Sequence, residues 1–173
     1  MTEHVRRRGR YLRVADPEWS DPLDGSYSMR AGKRWNAQGS FPIVYLNATV
    51  EVARANCDDW FAGQPYGPLD LDPDKAPVLV ETEVPAAEYV DVVSEAGCAA
   101  LGLPTTYPLD ASDSEVPLSV CQPLGQRLWD DAERGIACRS AALPHGTVGE
   151  ELAYFQRGDR LPQLRVRPLR EWY

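Results

Sequence analysis

The stretch from Gly32 to Asn56 reads GKRWNAQGSFPIVYLNATVEVARAN and is the most informative part of the chain. It places Arg34 in a glycine-flanked loop, Tyr45 in a short apolar strand and Asn56 in an amphipathic helix. Arginine presents a planar fork of donors that fits phosphate oxygens, and tyrosine presents a flat ring with a polar tip. The stretch therefore predicts a pocket for an anionic ligand that contains rings, such as a nucleotide.

The helix of this stretch carries an amide on its apolar face. Thr49 is expected to cap the helix and Gly63 to end it. Within the helix, Asn56 falls between Val52 and Trp60 on the apolar side. A buried amide without hydrogen-bond partners costs about 1–3 kcal/mol. Asn56 is therefore expected to bind a neighbouring loop or ordered water, or else a ligand, and its position alone leaves both interpretations open.

Runs of alternating and β-branched residues predict further strands on both sides of this stretch. Strands are expected at residues 11–15, 43–46, 77–84, 89–93, 136–141, 151–156 and 164–169. Pro85 is expected to separate two of them, and Pro123 to open a second helix that Gly135 closes. Segments rich in Pro, Gly, Ser and Asp predict loops at 16–39, 63–76 and 97–119. About seven strands with two or three helices, without regular βαβ alternation, predict an α+β fold in a single domain.

The charge of the chain is unevenly distributed. The net charge is −8, and residues 51–120 carry 14 acidic side chains against Arg54 and Lys75. An acidic belt of this kind repels phosphate backbones, which argues against a general nucleic-acid-binding protein. Residues 1–10 hold four arginines and are expected to form a basic N-terminal arm, which is a solvated tail or a contact for a partner.

Length and hydropathy are typical of a globular protein. A chain of 173 residues forms a real core, since folding buries roughly 70% of the surface of a chain of this size. No apolar run approaches the roughly 18 residues that a membrane-spanning helix needs. The N-terminal residues lack the apolar segment of a secretory signal. We therefore expect a cytoplasmic protein without a membrane partner.

The four cysteines do not form a metal-binding pattern. They are Cys57, Cys98, Cys121 and Cys138, and the histidines are His4 and His145. No C-x-x-C spacing is present and no histidine lies near a cysteine, so no metal site is expected. Isolated cysteines in a chain without an export signal are expected to be buried apolar residues or free thiols.

Four short segments occur in a recognisable order along the chain. They are residues 11–14 (YLRV), 32–36 (GKRWN), 42–46 (PIVYL) and 135–141 (GIACRSA). They resemble, in the same order, the opening Y-R-V strand, the G-G-R-W-N loop, the P-x-x-Y-L strand and the late strand ending in Ser of the RES-domain proteins. These are bacterial toxins named for an Arg, a Glu and a Ser. The resemblance spans residues 11–155 and is thinnest between residues 63 and 122.

The resemblance implies a fold similar to that of ADP-ribosyltransferase toxins, with strands around a central cleft and a few flanking helices. It implies NAD as the substrate, no metal, and cleavage of the nicotinamide–ribose bond with transfer of the ADP-ribosyl group to water, phosphate or a protein. Arg13 and Arg34 would hold the phosphates, Tyr45 the nicotinamide end, and Ser140 the ribose or the nicotinamide. The implied catalytic set is Arg34, Tyr45, Asn56 and Ser140. The resemblance also implies a protein antitoxin over the cleft, and a homo-oligomer is compatible with it.

The chain departs from the family at Asn56, where the family has its Glu. An amide hydrogen-bonds a ribose hydroxyl but carries no negative charge, and loss of such a preorganised group costs on the order of 3 kcal/mol. One interpretation is an enzyme in which another acid, such as Glu150 or Glu151, enters the cleft. A second is an NAD-binding regulatory module without turnover. A third, a protein-interaction domain without a ligand, fits the acidic belt but does not explain the Arg34 loop.

Overall fold

The secondary structure combines a mixed sheet with short helices in a computed structural model that describes residues 1–144 and 146–173. The strands are β1 His4–Ala15, β2 Ile43–Asn47, β3 Val78–Val92, β4 Gly135–Arg139, β5 Glu150–Phe155 and β6 Gln163–Arg167. The helices are α1 Ser26–Ala31, α2 Val50–Trp60, α3 Glu95–Ala100 and α4 Leu118–Asp130, with 3₁₀ turns at Pro68–Asp70 and Leu169–Glu171. The predicted α+β fold is confirmed. None of these helices combines the length and the apolar character that a membrane crossing requires.

The sheet closes on itself. Its strands follow the order β1-β2-β5-β4-β3-β6, and β1 also pairs with β3. The first five strands therefore form a ring, and β6 adds to the outer side of β3. The β3–β4 pair is parallel and the other pairs are antiparallel. β1 and β2 share one residue pair, Leu12 with Asn47, so this junction is held by little backbone pairing.

Apolar side chains pack on both sides of the sheet. One cluster lies between the sheet and α4, around Trp35, Ile43 and Leu128. Another lies between the sheet and α2, around Ala53 and Leu79. The four cysteines are buried free thiols, as the sequence predicts.

The first strand is longer than the sequence indicates. β1 begins at His4, and residues 4–7 pair with residues 87–90 of β3. The expected basic arm is therefore part of the sheet rather than a solvated tail. Arg7 forms two hydrogen bonds with the carboxylate of Glu150, at 2.6 and 2.7 Å. The charge pattern does not reveal this pair, because its partners lie 143 residues apart in the chain.

Pro85 does not divide the third strand, which runs without a break from Val78 to Val92. The register with β1 shifts between the pairs Arg7–Ala87 and Gly9–Val84. Two β3 residues, Pro85 and Ala86, therefore face a single residue of β1. A bulge of this kind accommodates proline, since its missing N–H falls where the ladder is already interrupted.

The helices also differ from the predicted ones. The short helices α1 and α3 lie in segments expected to be loops, because six residues are too few to show a clear period. α4 begins at Leu118, so Pro123 lies inside the helix rather than in its first turn. The carbonyl that Pro123 leaves unpaired belongs to Ser119, which is exposed and therefore accessible to water. The helix predicted after Thr49 is confirmed, and the Thr49 side chain accepts a hydrogen bond from the N–H of Val52 at 3.3 Å.

α4 holds the loop of Arg34 through a close backbone approach at Gly125. A Cβ at this position would overlap the carbonyl oxygen of Trp35. The glycine therefore lets the helix lie directly on the segment that precedes β2, and Trp35 is fully buried beneath it.

Gly125→Ala is expected to destabilise the protein by about 1–3 kcal/mol, since the backbones of α4 and Trp35 must separate to admit the methyl group. Chemical denaturation measures the loss. Gly67→Ala is the matched control, because its Cβ would meet no atom closer than 3.8 Å. Equal stability of the two variants would contradict the packing of α4 on the Arg34 loop.

Candidate functional site

A cavity of about 580 Å³ lies against the junction of β1 and β2. This volume is within the range of roughly 300–1,000 Å³ that is typical of small-molecule sites. Its walls come from β1, the segment of residues 16–34, β2, α2 and the start of β5. Of the residues singled out from the sequence, the cavity is lined by Arg13, Arg34, Tyr45 and Asn56. Ser140 is not among the lining residues and reaches the site through Glu151.

Arg13 contributes a buried positive charge to the cavity. Its side chain is 5% exposed, and Nη1 donates to the carbonyl of Asp24 at 3.3 Å. The guanidinium lies over the ring of Trp19, 5.2 Å from the centroid. Burial lowers the pKa of Arg13 to about 10, so the side chain is still charged at neutral pH. A buried guanidinium at a cavity wall suits an anionic ligand.

Arg34 is held at the cavity by the segment that precedes α4. Its Nη2 donates to Oε2 of Glu115 at 2.7 Å, and Nη1 donates to the carbonyl of Val116 at 3.1 Å. The Glu115 side chain is 58% exposed, against 19% for Arg34. An exposed carboxylate on a half-buried guanidinium is a contact that a ligand phosphate can replace.

Tyr45 positions the loop that carries Arg34. Its hydroxyl accepts from the backbone N–H of Trp35 and donates to Oδ1 of Asn36, both at 2.9 Å. Asn36 is fully buried, and its amide in turn donates to Ser28 Oγ at 3.1 Å and to the carbonyl of Phe41 at 2.9 Å. With its hydroxyl engaged in this way, Tyr45 offers its ring to the cavity.

Asn56 lies in a chain of polar side chains. Its Nδ2 is 2.8 Å from Oδ1 of Asn47 and 2.9 Å from Oε1 of Glu151. The same Glu151 oxygen accepts from Ser140 Oγ at 2.6 Å. Asn47 donates to the carbonyl of Leu12 at 3.1 Å. The amide of Asn56 thus has the partners that its position on the apolar face requires, and one of them is a carboxylate of the cavity wall.

Strand register explains why Glu151 meets these groups. On β5, Glu151 pairs with Asn47 of β2 on one side and with Cys138 of β4 on the other. Ser140 follows the end of β4 directly. Burial raises the pKa of Glu151, and the hydrogen bonds from Ser140 and Asn56 and the charge of Arg34 offset this only in part.

Aromatic rings form a further wall, which sequence reasoning missed. Trp19 stacks on Tyr27 with ring centroids 4.2 Å apart and an interplanar angle of 11°. Trp60 lies 6.2 Å from Trp19, and all three rings line the cavity. Trp19 and Tyr27 lie close together in one polar loop of the sequence. This clustering could have predicted the aromatic wall, since exposed aromatic residues often mark binding sites.

The cavity presents both signs of charge. Its basic side chains are Arg13, Lys33 and Arg34, and its carboxylates are Asp16, Asp59 and Glu151. Such a site suits a ligand that itself carries separated positive and negative groups. Within residues 1–144 and 146–173, no group of three potential metal ligands is found, and His145 lies outside these ranges.

The fold and the cavity define an α+β protein with a partly polar cavity at a sheet junction. The family model of the RES domain matches residues 10–172, and the chain belongs to this family, which confirms the sequence resemblance. The structure is similar to a chain of the crystal structure of the M. tuberculosis MbcT–MbcA toxin–antitoxin complex, with a TM-score of 0.73 and 20% identity. The match covers 96% of this chain and 86% of that chain, and at this identity it concerns the fold. A search of curated proteins finds no match.

Tyr45→Phe is expected to destabilise the protein by about 1–3 kcal/mol, because the backbone N–H of Trp35 and the side-chain oxygen Oδ1 of Asn36 lose their shared partner. Denaturation measures the loss, with Tyr66→Phe as the control, since Tyr66 is an exposed tyrosine. A Tyr45 variant as stable as the control would show that the hydroxyl does not hold the Arg34 loop.

Proposed function

We propose that this protein binds NAD in the cavity and cleaves the bond between nicotinamide and ribose, passing the ADP-ribosyl group to water, phosphate or a protein acceptor. The observation that carries the proposal is the convergence of Arg13, Arg34, Tyr45 and Asn56 on one cavity, although they are scattered over residues 13–56. Membership of the RES-domain family supports the same substrate.

The charges of the cavity correspond to those of NAD. The pyrophosphate is anionic and would lie near Arg13 and Arg34, and the oxidised nicotinamide ring is cationic and would lie near Glu151. The stacked rings of Trp19 and Tyr27 offer a surface for a planar base. This arrangement orients the dinucleotide along the cavity and brings the nicotinamide riboside towards β5.

The reaction requires support for a positive sugar. When the nicotinamide–ribose bond breaks, its electron pair leaves with the nicotinamide nitrogen and the ribose develops oxocarbenium character. A site of this kind works by holding the substrate in one geometry and by placing negative or hydrogen-bonding groups near the ribose. Tyr45, Asn56 and Ser140 are the proposed site residues at this end, and Arg34 fixes the phosphates.

We further propose that the protein is a cytoplasmic toxin whose partner is a protein antitoxin. The family and the similarity of its fold to a chain of a toxin–antitoxin complex support this. An antitoxin that covers the mouth of the cavity would block the entry of the dinucleotide, which is the simplest way to hold such an enzyme inactive.

An NAD-binding module without turnover is the second candidate. The observation that favours it is Asn56, an uncharged residue on α2 at the position that the sequence resemblance matches to the family's Glu. The two candidates differ in product formation and share the binding site.

Incubation of the purified protein with NAD, followed by measurement of free nicotinamide, separates them. The proposal predicts steady release of nicotinamide, whereas NAD binding without product would establish the second candidate.

Arg34→Ala is expected to weaken NAD binding by about 10- to 100-fold, since it removes charge-assisted hydrogen bonds to phosphate. Unchanged affinity, measured by calorimetry, would remove Arg34 from the site.

Glu115→Gln is expected to tighten NAD binding by about two- to fivefold, because the phosphate no longer competes with a carboxylate for Arg34. Asp113→Asn is the control, since it removes the same charge from the same exposed segment without touching Arg34. Equal effects of the two variants would show that only the overall charge of the segment matters.

A further inference from the structure

Glu151 lies where the wall of the cavity meets the side chains of Ser140 and Asn56. It lines the cavity, and the hydrogen bonds that the described residues donate to it, from Ser140 and Asn56, both end on Oε1. Among the described residues, no donor lies within hydrogen-bond distance of Oε2. One oxygen is therefore anchored, and the second is left for a group inside the cavity.

Its neighbour Glu150 shows the contrasting arrangement. The Glu150 carboxylate accepts two bonds from Arg7 and one from the hydroxyl of Tyr11, at 3.2 Å. That carboxylate is neutralised by a structural partner and does not line the cavity. Adjacent residues of one strand thus carry the same side chain in two different environments.

We propose that Glu151 is the catalytic carboxylate of this protein and that Asn56 and Ser140 are its positioning residues. The proposal rests on the proposed function and deepens it by naming the group that supports the oxocarbenium ion. In this assignment the catalytic carboxylate comes from β5, and Asn56 of α2 contributes a hydrogen-bond donor that orients it.

Asn56 suits this role better than a second acid would. An aspartate carboxylate at position 56 would lie about as far from Glu151 as the amide does, 2.9 Å, and a glutamate, one methylene longer, can reach the same carboxylate. Two carboxylates at this separation cannot both ionise readily, so one pKa rises strongly. With Glu151 in place, an amide at position 56 keeps the site functional and a glutamate would disturb it.

The chemical step assigns Glu151 two tasks. As the C1′–N bond breaks, the electron pair leaves with the nicotinamide, and the ionised carboxylate compensates the positive charge that develops on the ribose. With water as the acceptor, its oxygen forms the new bond to C1′, and the proton that it releases is taken up by Glu151. The products are nicotinamide and ADP-ribose, and no redox partner is needed.

The surroundings of Glu151 predict the pH dependence of the rate. Burial raises its pKa. The hydrogen bonds from Ser140 and Asn56 and the charge of Arg34 lower this pKa, and the charge of Asp59 raises it. Because the ionised form is the active one, kcat/KM should fall as the pH drops through a pKa that is higher than the ordinary value of a glutamate. Ser140→Ala should shift the fall in kcat/KM to higher pH, because it removes a hydrogen bond to the ionised carboxylate. Ser140→Thr keeps a hydroxyl group and should leave the pH profile unchanged.

Glu151→Gln tests the assignment, with Glu150→Gln as the matched control one residue away. Glu151→Gln should lower nicotinamide release by about 100-fold or more, since a preorganised charge is lost. Glu150→Gln should stay within about threefold of the unmodified protein. A Glu151→Gln variant that is as active as this control would overturn the proposal.

Moving the charge to α2 gives a second test. Asn56→Glu alone should lower the rate by about tenfold because of the like-charge pair. Asn56→Glu combined with Glu151→Gln should recover about tenfold over Glu151→Gln alone, because one carboxylate and one amide are restored. A rate increase in Asn56→Glu alone would show that the charge belongs on α2 and would overturn the assignment.

A binding measurement distinguishes failure of this proposal from failure of the proposed function. Non-hydrolysable carba-NAD carries a cationic nicotinamide, whereas NADH carries a neutral ring. The unmodified protein should prefer carba-NAD by about fivefold, and Glu151→Gln should lose this preference while Glu150→Gln keeps it. If no nicotinamide is released but Glu151→Gln loses the preference, the proposed cleavage fails and the placement of Glu151 holds. A preference unaffected by Glu151→Gln would refute that placement.

Discussion

A chain of hydrogen bonds, buried or half-buried, links β1, β2, α2, β5 and the residue that follows β4 at the wall of the cavity. It runs from the carbonyl of Leu12 through Asn47 and Asn56 to the carboxylate of Glu151, which Ser140 also contacts. β1 and β2 share a single residue pair at this point, so the two strands are linked by a side-chain hydrogen bond in place of a longer ladder of backbone hydrogen bonds. Buried polar networks are costly when any member is left unpaired, so these residues depend on one another.

A network of this kind is not the most stable way to fill the end of a sheet. An apolar cluster would avoid the desolvation of Glu151, because burial disfavours the charged form of its carboxyl group and raises its pKa. Groups with perturbed pKa values and cavities of mixed charge are typical of sites that bind and react, which is the role we propose for this cavity. Of the cavity carboxylates, Glu151 on β5 is the one that hydrogen-bonds with both Ser140 and Asn56 of α2.

Local sequence signals identified the parts of the site that lie close together in the chain. The loop of Arg34, the strand of Tyr45 and the helix capped by Thr49 follow one another within about 25 residues, and each is marked by its own residue types. The role of Asn56 stayed open, because its partner Glu151 lies 95 residues away and meets it only through strand register. Pro85 and Pro123 were misleading for a related reason. Pro85 lies at a bulge, and the carbonyl that Pro123 leaves unpaired is exposed to solvent. Neither feature can be predicted before the neighbouring strand and the exposure of the helix are known.

A crystal structure of the protein with bound carba-NAD tests most directly whether the cavity holds a dinucleotide with its nicotinamide end beside Glu151. The account predicts a pyrophosphate within hydrogen-bond distance of Arg34, in place of the Glu115 carboxylate, and the nicotinamide riboside next to Oε2 of Glu151. A dinucleotide bound outside this cavity, or one whose nicotinamide end points away from Glu151, would contradict it.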